Sequence, residues 1–374
     1  MPADSKSAVS GSDGVATEKA TASTSARGAD HRLTRIVSIL NEYSMLVVSG
    51  TKLAQELGST RAEVWRLVEQ LRSNGVAIAG HPATGYRLEA VPDLLLPDAI
   101  GPLVNGTLFA GNLQHSFKTA STNANAMQAA AAGVPEGTVF FAEEQTAGRG
   151  RGGHSWHSEP GAGVYCSVVL RPRMSPADAL VISLMAGLAA AAAVEEVTGL
   201  KPDLRWPNDL LLARTSSPET AGAKPGARKF CGILTELNAE ATRVRYVVAG
   251  IGINVNHESF PPEIADIATS LRIEGGRTYS RVEISGALLR ALDREYRALQ
   301  SDVDEATASI FRRFEERSSY ARGLRVRVEE EDGYEGVTEG LDDRGFLRVR
   351  TDGGLRTVLH GGVRALTDAD ADKF

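Results

Sequence analysis

Two arginines stand between glycines in the stretch QTAGRGRGGHSW, Gln145 to Trp156. Guanidinium forks bind carboxylate and phosphate oxygens two at a time, and flanking glycines let a backbone come close to a ligand. Arg149 and Arg151 therefore predict an anion-gripping loop. The letters admit two other readings. Gly148, Gly150 and Gly153 satisfy G-x-G-x-x-G, but the continuation HSWHSEPGAGVY brings a proline and two more glycines where a dinucleotide-binding turn needs a helix. No Gly-Lys-Ser/Thr follows either, so a P-loop is excluded. An RNA-binding arginine–glycine box needs a repeated, unstructured segment, and here one copy lies between two strand-like runs.

Three further stretches carry polar groups at strand ends. LRWPNDLLL (Leu204 to Leu212) places Trp206, Pro207, Asn208 and Asp209 after a strand-like start. RKFCGILTE (Arg228 to Glu236) brings Lys229 into the entry of a strand. GIGINVN (Gly250 to Asn256) ends another strand on Gly250, Gly252 and Asn254. With the arginine loop, these strand ends point to one shared pocket.

The elements that must position them follow from periodicity. TVFFAEEQ, VYCSVVLRP, FCGILTELN and RVRYVVAGIGINV read as strands, and 124–132, 176–198 and 281–300 as helices, giving an α+β or α/β domain over 111–320. The run ALVISLMAGLAAAAAV is short for a membrane span and starts behind a Ser-Pro-x-Asp cap, so it reads as a buried core helix. Residues 31–90 give helix, helix, short turn, helix and hairpin, the winged helix-turn-helix pattern. Seven cations against five anions in that module contrast with −6 for the whole chain, which favours local phosphate contact. Ser59, Thr60, Arg61, Trp65 and Arg66 open the third helix, where base edges would be met. Residues 321–374 are short strands split by Gly-containing turns, expected to form an SH3-like barrel. Residues 1–30 read as a disordered tail, 91–110 as a Pro-punctuated linker, and 213–228 as a mobile insertion. Two widely spaced cysteines in 374 residues, with no signal peptide in view, fit a reducing cytoplasm.

STNANA from Ser121, EEQTAGRGRGGHSWHS, RWPNDLLL, KFCGILTE and GIGINVN, in that order, resemble biotin protein ligases. The winged helix in front and the small barrel behind resemble the bifunctional kind that also represses biotin-synthesis genes. The resemblance spans about residues 32–368 and implies a central mixed-sheet ligase domain, class II synthetase-like and of the biotin/lipoate type. It implies that biotin is activated with ATP and Mg²⁺ as biotinoyl-5′-AMP, then passed to a lysine of a biotin carboxyl carrier protein. By the same resemblance, Ser121, Thr122, Asn123, Gln145, Gly150, Gly250 and Gly252 serve biotin, and Trp156, Asn208 and Asn254 the nucleotide. Arg149, Arg151 and Lys229 serve both and are catalytic, Lys229 chief among them, with Asp209 beside it as a catalytic proton acceptor or metal partner. Operator DNA and a homodimer through an edge strand of the central sheet are implied too, and no membrane. Arg205 stands where the family usually has lysine, and His154 where it has another basic residue. A ligase whose winged helix no longer binds DNA, and a lipoate or octanoate transferase, are the competing readings.

Overall fold

A computed structural model describes residues 30–43, 46–90, 92–213, 226–330 and 333–366. The tail and most of the 213–228 insertion therefore lie outside the described residues. The chain divides into two units, Met1–Pro92 and Asp93–Phe374.

In the first unit, helix α1 (30–42) buries Leu33, Ile36, Val37 and Leu40. Helix α2 (Gly50–Glu56) is capped by Ser49, whose hydroxyl accepts from Lys52 N at 3.2 Å. Helix α3 (Arg61–Ser73) starts on Thr60, which accepts from Glu63 N at 3.2 Å, and buries the single stripe Val64, Leu67, Val68 and Leu71. Strands β1 (Ile78–His81) and β2 (Gly85–Leu88) close the unit as an antiparallel hairpin. Tyr86 packs inside it and exchanges two backbone hydrogen bonds of 2.8 Å with Val48.

The second unit is built on a seven-stranded mixed sheet. Its strands are β3 (Leu113–Thr119), β4 (Val139–Gln145), β5 (Gly163–Leu170), β6 (Asp203–Arg205), β7 (Asp209–Leu212), β8 (Arg228–Ala239) and β9 (Val244–Asn254). The order is β3-β4-β5-β9-β8-β7-β6, with β3 and β4 parallel and the other neighbours antiparallel. Alternation sorts the central strands. Val169, Tyr246 and Val248 face Ala126 and Ala130, one turn apart on the short helix α5 (Thr122–Ala131). Val168, Val247, Ala249 and Ile251 face the main core under α6 (Leu180–Thr198), α7 (Arg281–Ser301) and α8 (Val303–Glu316). Helix α6 is apolar on every side, as a helix enclosed by sheet and neighbours must be. Among the described residues it is the one helix long and apolar enough to cross a membrane, and 78% of that window is buried inside the fold, which makes it the core helix.

The stretch read as a linker, 91–110, is a correction from Asp93 on. Leu95, Ile100, Val104 and Phe109 are fully buried in the main core, around a short helix α4 (Pro97–Ile100). The prolines break the helical period there, while the apolar side chains between them still pack. A buried charge cluster anchors this segment. Leu95 N donates to Glu143 Oε1 at 2.8 Å, and Arg281 Nη1 donates to Glu143 Oε2 at 2.7 Å. His115 Nε2 lies 3.1 Å from the same carboxylate.

Burial alone would raise the Glu143 carboxyl, but Arg281 and His115 outweigh it and hold it at about 2, against an ordinary 4.5. A carboxyl depressed in the folded state contributes stability that is full above its unfolded value and is lost as pH falls through the folded one. That contribution is on the order of 3 kcal/mol. Glu143→Gln is expected to flatten the acid limb of stability between about pH 5 and pH 2, measured by urea unfolding; parallel limbs for variant and wild type would refute it.

The C-terminal strands are β10 (Arg322–Val328), β11 (Tyr334–Leu341), β12 (Leu347–Thr351), β13 (Gly354–Val358) and β14 (Val363–Ala365). They pair antiparallel in the order β13-β12-β11-β10-β14. Val326, Leu347, Val349, Val358 and Val363 join the main core, so this small domain is packed onto the sheet unit. Trp206 Nε1 donates to Gly345 O at 2.9 Å across that junction.

Candidate active site

On the α5 face of the sheet, strand ends open a cleft of about 450 Å³ including its mouth. Gly250 and Gly252 of β9 and Gly232 of β8 form its floor. Ser121, Thr122 and Asn123, the cap and first turn of α5, form one wall with Gln145 at the end of β4. Arg149, Gly150, Arg151 and Trp156 close it from the loop, and Lys229 and Asn208 from the β8 entry and the β6–β7 turn.

The polar wall is one network. Thr122 N donates to Gln145 Oε1 at 2.9 Å, and Gln145 Nε2 donates to Ser158 Oγ at 3.0 Å. Ser167 Oγ, on β5, donates to Asn123 Oδ1 at 2.6 Å and lies 2.8 Å from Thr122 Oγ1. Asn123 Nδ2 donates to Glu236 Oε2 at 2.9 Å and Leu234 O at 3.2 Å. The floor has to be glycine. A Cβ on Gly250 would fall onto Asn123 Oδ1 and 2.7 Å from its Cγ. A Cβ on Gly252 or Gly232 would meet the Trp156 ring at 2.6 or 2.8 Å.

The cations are held unequally. Lys229 Nζ lies 2.5 Å from Asp209 Oδ1 and 5.3 Å from the Trp156 ring centre. Arg205 Nη2 donates to Asp209 Oδ2 at 2.6 Å, so one carboxylate balances two cations. Arg151 Nη1 donates to Gly361 O of the C-terminal domain at 3.3 Å and reaches Asn208 Oδ1 at 3.5 Å. Burial lowers the Arg151 guanidinium from its ordinary value, which makes an incoming anion favourable there. The Arg149 side chain is exposed and has no hydrogen-bond or ion-pair partner among the described residues. Asn208 is fixed by Nδ2 donating to Ile233 O at 2.8 Å. The loop itself is a tight turn, in which Gly150 N donates to His154 O at 2.7 Å and Trp156 N to Gly148 O at 2.9 Å.

Two residues differ from the sequence expectation. Asn254 does not line the cleft; its Nδ2 donates to Thr269 O, in the loop after β9, at 3.1 Å. Asp209 is a poor proton acceptor. Burial would raise its carboxyl, but Lys229 and Arg205 outweigh this and hold it below the ordinary carboxylate value. Sequence reasoning missed Ser167, Gly232 and Glu236. Ser167 sits within an apolar strand and Glu236 at the end of KFCGILTE, and nothing local marks either. Cys166 lines the cleft as well, and burial raises its thiol, so it stays protonated.

In the first unit, Trp65 is 49% exposed on α3. Arg66 is not free: Nε and Nη2 donate to Glu63 at 2.9 and 2.7 Å. Arg61 Nη2 donates to Pro82 O in the hairpin turn at 2.5 Å, and Thr60 caps the helix.

Fold and site together define a helix-turn-helix unit, a mixed-sheet unit with a cationic, glycine-floored cleft, and a small domain of antiparallel strands. Residues 114–254 match the biotin/lipoate A/B protein ligase family, 32–87 an HTH domain, and 323–363 the biotin protein ligase C-terminal domain. The bifunctional ligase/repressor BirA of Bacillus subtilis is 32% identical over 88% of this chain and 97% of its own length. The biotin–[acetyl-CoA-carboxylase] ligase of Mycobacterium tuberculosis is 36% identical over 65% of this chain and 84% of its own. The Aquifex aeolicus biotin protein ligase, solved with biotin and ATP, superposes with a TM-score of 0.57 at 28% identity, covering 68% of this chain and all of that one. The chain belongs to the biotin protein ligase family.

Proposed function

We propose that the chain is an ATP-dependent biotin protein ligase whose helix-turn-helix unit also represses biotin-synthesis genes. The observation that carries the enzymatic half is the convergence of Arg149, Arg151, Lys229 and the first turn of α5 on one glycine-floored cleft. Three cations and a helix N-terminus attract anions, and biotin and ATP are both anionic where they react. A carboxylate oxygen of biotin attacks the α-phosphorus of ATP, the bond to the β-phosphate bridge breaks, and pyrophosphate leaves. The ε-amine of a carrier-protein lysine then attacks the acyl carbon, a C–N bond forms, AMP leaves and the amine loses a proton.

Ser121, Thr122, Asn123 and Gln145 hold the biotin end, with Gly250 and Gly252 admitting it against the sheet. Lys229 stands between carboxylate and α-phosphate, where a cation offsets their repulsion. Arg149 and Arg151 grip the acyl phosphate, Gly150 lets the loop approach, and Trp156 and Asn208 face the nucleotide. Asp209 positions Lys229 and leaves the proton to water. No dedicated Mg²⁺ cage fits this donor set, because the Asp209 carboxylate is already shared by two cations. Mg²⁺ would therefore have to arrive with ATP, where it would screen the phosphate charge. We read the sheet unit as class II synthetase-like, the C-terminal strands as an SH3-like barrel, the compartment as cytoplasmic and the adenylate-bound form as a homodimer.

Incubation with biotin, ATP, Mg²⁺ and a carrier domain is expected to add one biotin per carrier, read by mass spectrometry. No transfer would end the ligase reading, and transfer of lipoate or octanoate instead would replace it. In the first unit, exposed Trp65 carries the DNA reading, with Ser59, Thr60, Arg61 and Arg66 around it. Gel shifts with DNA upstream of biotin-synthesis genes are expected to show a complex that biotin plus ATP strengthens and Trp65→Ala weakens by about tenfold, as the loss of one aromatic contact implies. Absence of any complex would leave a ligase whose helical unit serves another purpose, consistent with Glu63 occupying Arg66.

A further inference from the structure

Beside the cleft but outside it, His157, Glu159 and His257 come together. One nitrogen or carboxylate oxygen from each lies within 4.8 Å of the other two. His157 follows Trp156 directly, and His257 lies just past the end of β9, so the cluster joins the segment after the arginine loop to the sheet. His257 is completely buried, and the Phe260 ring stacks on it at 5.1 Å and 16°.

Tyr165 decides the form of His257. Its hydroxyl donates to the Glu159 carbonyl at 3.0 Å. A phenol has one proton, so the 3.3 Å contact between that oxygen and His257 Nε2 is donated by the ring. The proton on Nε2 leaves Nδ1 with a bare lone pair. Nδ1 is buried and has no hydrogen-bond partner among the described residues. An unsatisfied buried acceptor is costly, and an imidazole with one nitrogen fixed by a polar neighbour and the other bare is the form that ligates a metal. The nearby Arg281 charge does not forbid a cation, because Arg281 is paired with Glu143 at 2.7 Å and with Asp93 at 3.4 Å.

We propose that His157, Glu159 and His257 form a site for a divalent transition metal of the zinc class, with water as the fourth ligand. Two imidazoles and a carboxylate are a donor set that Zn²⁺ takes. Bonds of about 2.0–2.1 Å around a tetrahedral zinc put ligand atoms roughly 3.3 Å apart. The solvent-accessible His157 and Glu159 close that gap by rotating, while His257 stays in place. The bound ion clamps the chain immediately after Trp156 to the end of β9, and so steadies the ring that lies over the cleft floor.

The test uses the tag-free, full-length protein after dialysis against a chelator. Titration with Co²⁺ is expected to give a visible d–d band of tetrahedral type that saturates at one equivalent and disappears when Zn²⁺ is added. Zn²⁺ is expected to raise the Tm of the wild type. His157→Ala and Glu159→Gln, both at accessible positions, are expected to keep the far-UV circular dichroism of the wild type and to weaken Co²⁺ binding at least tenfold each. No saturable band, or an affinity unchanged in both variants, overturns the proposal; the second outcome would place the ion elsewhere on the protein.

Discussion

Lys229→Ala is expected to slow formation of the acyl-adenylate by about 10²–10³-fold, the range seen when one preorganised charge stabiliser is removed. The biotin carboxylate and the α-phosphate must approach to bonding distance although both are negative. In the proposed mechanism Lys229 is the point charge at that place, its ammonium 2.5 Å from Asp209 and 5.3 Å from the centre of the Trp156 ring. Losing it does not strand Asp209, which keeps Arg205 at 2.6 Å. The fold should therefore survive, and the loss should fall mainly on kcat rather than on KM for biotin. Lys229→Arg keeps the charge, but a guanidinium is a rigid fork and not a compact point charge, so recovery should be partial. Single-turnover release of pyrophosphate measures the step directly; a Lys229→Ala rate within tenfold of wild type would remove Lys229 from the chemistry.

Gly250→Ala is expected to raise KM for biotin by about 30–150-fold, the equivalent of roughly 2–3 kcal/mol for breaking a buried hydrogen-bond network. The added methyl falls onto the Asn123 carboxamide. Asn123 would have to surrender its contacts with Ser167, Glu236 and Leu234 together. Because the damage runs through Asn123, the two positions should be non-additive: Asn123→Ala with Gly250→Ala should be little worse than Asn123→Ala alone. Additive losses in biotin titration would mean that Gly250 acts on the ligand directly.

Most of the cleft was legible because its residues lie at strand ends and in turns, where polar and glycine letters break an apolar period. Arg149, Lys229 and Asn208 announce themselves in that way. Ser167 does not, since a small hydroxyl within VYCSVVL fits a buried strand equally well. Strand β3, LQHSFKT, escaped notice because its outer face is polar at the sheet edge and its period is weak. The 93–110 segment misled because proline is a local signal, whereas the Leu95 backbone is held by Glu143, 48 residues away. Asn254 and Arg66 show the same limit of local letters. A residue type announces what it can bind, and only the fold shows that Thr269 or Glu63 already holds one of its groups.

Trp156 rests over two glycines from neighbouring strands, and this has a consequence for descent. Neither Gly232 nor Gly252 can gain a side chain while the indole occupies that space. A smaller residue at 156 would free Gly252 and leave only the flexible end of Lys229 against Gly232. The three positions should therefore change together among relatives, with drift at either glycine following, and never preceding, the loss of the tryptophan.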